Sequence, residues 1–143
     1  MIVLEVHGPD TPVLVMGDFN DEPHDLSLVQ HALSTRQQAK VLGATTAPRL
    51  WNLMWPAAGR AEGTFYFQNF ANMLDQILVN KNMIRPDAPL RVDPATARIH
   101  TPEVMVSGGT YPAPIPFGGM GKPVNTSGYS DHYPIAVTVH DAD

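Results

Sequence analysis

The chain has 143 residues, which is long enough for one domain with a hydrophobic core. Its composition, 43% hydrophobic and 16% charged, is typical of a globular domain and excludes a disordered one, and the absence of cysteine excludes disulfides and thiolate metal sites. Nine scattered Lys and Arg residues and a net charge of −5 argue against tight binding of duplex nucleic acid, which depends on clustered cations.

The first strong pattern is a short apolar run, residues 13–16, bounded by Pro12 and a glycine. It predicts a buried, central strand. The sequence Gly-Asp-Phe-Asn-Asp follows it directly, with Asp18 and Asn20 two positions apart. If the extended geometry persists to Asn20, both side chains point the same way. Taken alone, these residue types are equally compatible with an ordinary turn after a strand.

A short helix is predicted next, over residues 26–33. Asp25 is a suitable N-cap, and four apolar side chains fall on one helix face. These apolar residues are Leu26, Val29, Ala32 and Leu33. A helical turn is expected within residues 36–42, and an irregular connection over residues 52–58.

Two strands are predicted in the middle of the chain, at residues 63–69 and 73–80, and they are expected to pair as an antiparallel hairpin through residues 68–72. Asp75 lies in the apolar sequence of the second strand. A carboxylate in a buried strand is costly unless it is paired, so Asp75 has either a partner or an exposed edge position.

Proline and glycine dominate the region from Pro86 to Pro123, where neither a long helix nor a central strand is expected. One short strand is predicted at residues 104–107. The Gly- and Pro-rich loop 107–130 exceeds the length of about 12–15 residues above which structureless connections become uncommon. It is expected to form a rim or lid over a site, with a mobile insertion as the alternative.

The last apolar run, residues 135–140, predicts a final strand, and Ser-Asp131-His132 stands just before it. If this run and residues 13–16 are both central strands, their polar ends meet at one sheet edge. Four or five mostly antiparallel strands are expected in all. An edge that brings together Asp18, Asn20, Asp131 and His132 suits hydrolysis of a phosphate ester better than it suits packing.

The three motifs, Gly-Asp18-Phe-Asn20-Asp, Met-Leu-Asp75-Gln-Ile-Leu-Val and Ser-Asp131-His132, occur in an order that resembles the C-terminal half of the endonuclease/exonuclease/phosphatase superfamily. The resemblance implies an α/β (α+β) sandwich, the DNase I-like four-layer fold. This chain would supply about half of it, mainly one mixed or antiparallel sheet with flanking helices. Residues 1–143 would then be a single partial domain.

The resemblance also implies a Mg²⁺-dependent phosphoesterase, a nuclease, phosphodiesterase or phosphatase, with Mn²⁺ or Ca²⁺ as alternative ions. Asp18 would take or orient the proton of the attacking water, and Asn20 would donate to a phosphate oxygen and fix Asp18. His132 would hydrogen-bond the phosphate while Asp75 accepts from its other ring nitrogen. Asp131 would help to hold the metal ion.

Two elements of the superfamily, an upstream asparagine strand and a metal-binding glutamate, have no counterpart in the sequence. A truncated domain with weak activity or none is therefore expected. The alternative function is a catalytically dead fragment that acts as a binding module and self-associates through an exposed sheet face.

The expected partner is a phosphate ester, with nucleic acid among the candidates. No run of about 18 apolar residues predicts a membrane span. The sequence does not distinguish a bacterial cytoplasmic protein from a secreted one.

Overall fold

The computed structural model describes residues 2–119, 121 and 123–141. Met120 and Lys122, which belong to the predicted loop 107–130, lie outside the described residues. The same holds for Met1, Ala142 and Asp143 of the predicted domain 1–143.

Short helices and eight strands alternate along the described residues. In chain order they are α1 (Ile2–His7), β1 (Leu14–Asp18), a π-helical turn (Ser27–His31), β2 (Ser34–Thr35), α2 (Gln38–Leu42), β3 (Leu50–Asn52), a 3-10 turn (Trp55–Ala57), β4 (Phe65–Phe67), β5 (Phe70–Asn72), β6 (Asp75–Val79), a 3-10 turn (Lys81–Met83), β7 (Leu90–Ile99), a 3-10 turn (Glu103–Met105) and β8 (Ile135–Asp141). This α+β fold, dominated by sheets, confirms the predicted class. No helix among the described residues combines the length and the hydrophobicity that crossing a membrane requires.

Strand β6 lies inside the largest sheet, whose order is β1-β6-β3-β2. It is antiparallel to β1 and β3, and β3 runs parallel to β2. All five residues of β6 are buried. Because side chains alternate along a strand, Ile77 and Val79 pack into one apolar cluster while Leu78 packs with Leu28 and Leu50 in another. The sheet therefore separates two layers of core.

The other strands form two antiparallel pairs. Strands β4 and β5 are joined by Gln68 and Asn69, whose φ angles are 49° and 68°. Positive φ at both positions is the geometry of a type I′ turn, which matches the twist of a hairpin. Strands β7 and β8 pair antiparallel, and Ile135 and Val137 of β8 pack against the β6 core.

Residues 13–16 and 135–139 were predicted to be central strands of a sheet, and this prediction was wrong. Strand β1 is at the edge of its sheet, and β8 pairs with β7 in a separate sheet. The interior places go to β6, which pairs with β1 and β3, and to β3, which pairs with β6 and β2. Strand β3 lies partly in the segment for which an irregular connection was predicted.

The predicted hairpin between residues 63–69 and 73–80 was also wrong. The chain already reverses at Gln68–Asn69, so β4 pairs with β5 over only three residue pairs. This leaves β6 free to pair with β1, over the register Leu14↔Val79 to Asp18↔Asp75.

The helix predicted at residues 26–33 is shorter in the structure, and a different face of it is buried. It is a π-helical turn, closed by a hydrogen bond from the Ala32 amide to the Ser27 carbonyl. Leu28 is its buried residue, whereas Leu26 is exposed. Asp25 is not the N-cap, because its carboxylate accepts from the Glu22 amide instead.

The proline-rich region contains the longest strand of the structure, β7, which the sequence did not predict. Pro94 is tolerated because the β7–β8 register shifts between Asp93 and Arg98, where a bulge needs no amide donor. The strand predicted at residues 104–107 is instead a 3-10 turn followed by a single bridge between Val106 and Pro114.

Candidate active site

Two carboxylates face each other where β1 ends and β6 begins. The strands are antiparallel, and Asp18 is paired directly with Asp75. Directly opposed residues project from the same face of a sheet with Cβ atoms about 4.5–5.5 Å apart. Two like charges at that spacing destabilise the sheet unless a positive or hydrogen-bonding group offsets them.

His132 supplies a hydrogen-bonding group. Its Nδ1 lies 2.7 Å from Oδ2 of Asp75. A carboxylate only accepts, so Nδ1 carries the proton and donates it. The two side chains are largely buried, with 12% of Asp75 and 19% of His132 exposed. The ring of Phe65 lies against the imidazole, with centroids 4.9 Å apart and planes inclined at 33°. The imidazole is thus held at its edge by a carboxylate and on its face by an aromatic ring.

Asn20 meets Asp18 by a turn and not by extended geometry. The Phe19 amide donates to the Leu74 carbonyl, which extends the pairing by one residue, and Asn20 then takes φ 53°. Its amide donates to Oδ1 of Asp18 at 2.8 Å, and its Nδ2 to Oδ2 at 3.3 Å. The extended geometry therefore does not persist to Asn20, and the residues form the turn that was the alternative. The turn nevertheless fixes both Asp18 oxygens with one residue.

Together these contacts bring Asp18, Asp75 and His132 into one cluster. Each offers a ligand atom, and these atoms lie within 4.8 Å of one another. Mg²⁺ is usually bound through one or two carboxylates, with waters and substrate oxygens completing its shell. The donor set fits such an ion, because two opposed carboxylates leave negative charge for it to offset.

Asp131 is not part of this cluster. Its side chain is exposed and lines an adjoining groove beside Phe65. Its assignment as a metal ligand stays a prediction. The structure therefore gathers Asp18, Asn20, Asp75 and His132 and leaves Asp131 at the margin.

A sequence model of the Endonuclease/Exonuclease/phosphatase family matches residues 3–141, nearly the whole chain. The chain belongs to this family. The match confirms the resemblance inferred from the three motifs, and it makes this domain one of the phosphoesterase type. No curated protein and no solved structure matches the chain.

One residue of this family domain that sequence reasoning missed is Thr64. It is fully buried, and its Oγ1 accepts from the amides of Leu74 and Asp75, each at 3.2 Å. Its carbonyl accepts from the Tyr133 amide at 2.8 Å. Thr64 thus ties the start of β6 to the segment that carries His132. Two signals in the sequence pointed to Thr64: its place at the start of a run of β-forming residues, and the sequence Gly63-Thr64-Phe65, which resembles bacterial members of this family.

A buried polar network holds the loop after Asn20 against β6. Gln76 is fully buried, and its Nε2 donates to the carbonyls of Asp21 and Met73 while its Oε1 accepts from Asn52. The Glu22 carboxylate accepts from the Met73 amide at 2.8 Å. These groups fix the loop backbone that follows the site.

Tyr133 directly follows His132 in the chain. It is buried, and its ring meets that of Tyr66 edge-on, with centroids 6.2 Å apart. Burial raises the pKa of Tyr133 above its ordinary value of 10.0, and the charge of Tyr66 raises this pKa further. The residue next to His132 is therefore neutral at physiological pH.

Proposed function

We propose that this domain is a Mg²⁺-dependent phosphoesterase that hydrolyses a phosphate ester with an activated water. The observation that carries the proposal is the gathering of Asp18, Asp75 and His132, which come from three separate parts of the chain. A carboxylate pair with an oriented imidazole costs stability where only packing is needed, whereas it suits the activation of water beside a phosphate.

Asp18 orients the attacking water and accepts its proton. The carboxylate is exposed, so a water has access to it, and the two hydrogen bonds from Asn20 hold it in one orientation. Because Asn20 lies on the same exposed turn, its amide group is placed to donate to a phosphate oxygen as well.

Asp75 and His132 act on the phosphate. The Nδ1–H bond to Asp75 leaves Nε2 as the ring nitrogen that is available to a phosphate oxygen. Asp75 holds the ring as the carboxylate behind a catalytic histidine does. Phe65 prevents the ring from tilting.

A Mg²⁺ ion would be held by Asp18 and Asp75, with Asp131 approaching from the margin. When bound, the ion supplies positive charge that offsets the carboxylates and the phosphate oxygens. One oxygen of Asp75 is already engaged by His132. We therefore expect weak affinity for Mg²⁺ and slow turnover of this chain by itself.

The test is hydrolysis of bis-p-nitrophenyl phosphate, DNA and a lipid phosphodiester, each with Mg²⁺ and with EDTA. We expect turnover of at least one substrate that EDTA abolishes and that Asp18→Asn lowers by about 100-fold or more. The matched control is Asp141→Asn, at an exposed carboxylate in β8. Turnover that is insensitive to EDTA, or equal in the two variants, would contradict the proposal.

The open edge of β1 favours a second candidate, a self-associating binding module. Strand β1 is an edge strand of its sheet, and its residues Val15 and Met16 are 40% and 47% exposed. An apolar edge strand with unpaired backbone groups is a template for a second copy of the same strand. A dimer would form by antiparallel pairing of the two β1 strands.

Size-exclusion chromatography with light-scattering detection, over a range of protein concentrations, tests this second candidate. Val15→Lys should give a monomer where the unmodified chain dimerises, because a lysine on an edge strand opposes pairing. Val104→Lys, at an exposed valine outside the strands, should leave the dimer intact. A monomer at every concentration would exclude the module.

A further inference from the structure

A groove opens beside His132, between strand β4 and the segment that contains Pro114 and Pro116. Its volume is about 390 Å³. Aromatic residues of β4, a proline wall formed by Pro114 and Pro116, and Asp131 line it. We infer that this groove binds an aromatic, uncharged group of the phosphate ester whose phosphate lies at His132. The inference rests on the proposed function and adds a substrate class to it.

The groove is continuous with the site. Phe65 lines the groove and also lies against the His132 ring, at 4.9 Å between centroids. Asp131, which lines it as well, is the residue that precedes His132. A phosphate held by His132 therefore has its ester group next to the opening.

The proline wall is built into the fold. The Ile115 amide donates to the Met105 carbonyl, and the Tyr129 amide donates to the Ile115 carbonyl, both at 2.8 Å. Gly128 approaches this wall so closely that a Cβ there would lie 2.1 Å from the Pro116 oxygen. A wall that is already in place loses little conformational freedom when a ligand binds.

The lining selects for apolar rings. Phe67 lines the groove and is 61% exposed, so most of this residue is accessible to a second ring. Among the described residues that line the groove, none is Lys or Arg. A polyanion such as a nucleic acid takes most of its affinity from such cations. An aryl ester fits this lining better than a chain of phosphates.

The test uses two phosphonates that cannot be hydrolysed, naphthylmethyl phosphonate and methyl phosphonate, with Mg²⁺ present. We expect the naphthyl compound to bind about tenfold more tightly, since an aromatic contact adds up to about that factor. Phe67→Ala should abolish this preference and leave the affinity for methyl phosphonate unchanged.

The matched control is Phe70→Ala. Phe70 pairs with Phe67 across the same hairpin and is 76% exposed, but it does not line the groove. It should keep the tenfold preference. Equal binding of both phosphonates to the unmodified protein, or equal effects of the two variants, would overturn the inference and leave the proposed function intact.

A tetranucleotide serves as the competing ligand. If it binds more tightly than naphthylmethyl phosphonate and is insensitive to Phe67→Ala, the groove does not select for aromatic esters and the inference fails. If none of the three ligands binds, the proposed function fails and the inference fails with it.

Discussion

Asp18 and Asp75 occupy directly opposite positions in the antiparallel register of β1 and β6. Only Asp75 has a close partner in His132, whereas Asp18 is hydrogen-bonded within its own turn. The pair therefore retains a repulsion that a fold selected for stability alone would avoid. A cation bound between the two carboxylates, as proposed above, would relieve this repulsion.

Asp18→Asn should consequently separate stability from activity. In EDTA the variant should be more stable by about 0.2–1 kcal/mol, because one of two opposed charges is removed. Addition of Mg²⁺ should stabilise the unmodified protein but not the variant, since only a folded state with both carboxylates binds the ion. Urea unfolding with and without Mg²⁺ measures both effects. A variant that is less stable in EDTA would contradict this.

Asn20→Gly should also lower activity without lowering stability. Asn20 has φ 53°, a conformation that glycine adopts without strain, but glycine cannot donate to Asp18 through a side chain. The control is Asn69→Gly, where φ is 68° in the β4–β5 turn, at a residue outside the cluster of Asp18, Asp75 and His132. Thermal unfolding should show both variants as stable as the parent, and the assay should show a loss for Asn20→Gly alone. A comparable loss of activity in both would contradict the role of Asn20.

Thr64→Val should loosen the contact between Asp75 and His132. Valine keeps the shape of threonine but leaves the half-buried amide of Leu74 and the buried amide of Asp75 without this acceptor, at a cost of about 1–3 kcal/mol. Thr64→Ser keeps the acceptor and should restore most of the activity. The Nδ1 proton of His132, followed by NMR, should exchange faster in the valine variant. An unchanged Nδ1 signal would show that Thr64 only stabilises the fold.

Alkaline pH should destabilise the protein through Tyr133. Its pKa is raised in the folded state, first by burial and second by Tyr66, so an unfolded chain releases this proton at lower pH. The contribution to stability is fully present below about pH 10 and is lost as pH rises through the folded pKa. Tyr133→Phe should flatten this part of the pH dependence of urea unfolding, and Tyr66→Phe should reduce it partly. If the stability of the Tyr133→Phe variant declined equally with rising pH, Tyr133 would not be the cause of the alkaline destabilisation.

The residues of the site could be predicted from the sequence better than the pairing of the strands could. The residue types around Asp18, Asp75 and His132 carry their chemistry locally, and each cluster adjoins an apolar run that marks a strand. The position of Asp131, at the margin of the site, was harder to predict. The sequence places Asp131 next to His132, but the turn before β8 leaves its side chain in the groove, and this turn has no local signature.

Strand pairing failed where it depends on distant residues. The turn at Gln68 and Asn69 lacks glycine, so its positive φ angles were not signalled. Strand β7 was not predicted because it contains Pro94, which lacks an amide donor. The bulge that tolerates Pro94 depends on the pairing of β7 with β8, which the sequence of β7 alone does not reveal. The buried residues of β6 indicated a strand but not which neighbours it has.

The most direct measurement is the paramagnetic broadening of histidine ring signals by substoichiometric Mn²⁺. The chain has five other histidines as internal controls: His7, His24, His31, His100 and His140. If Asp18 and Asp75 hold one ion beside His132, the His132 ring signals should broaden first, and Asp18→Asn should abolish the effect. Broadening that begins at another histidine, or that persists at His132 in the Asp18→Asn variant, would contradict a shared metal and phosphate site.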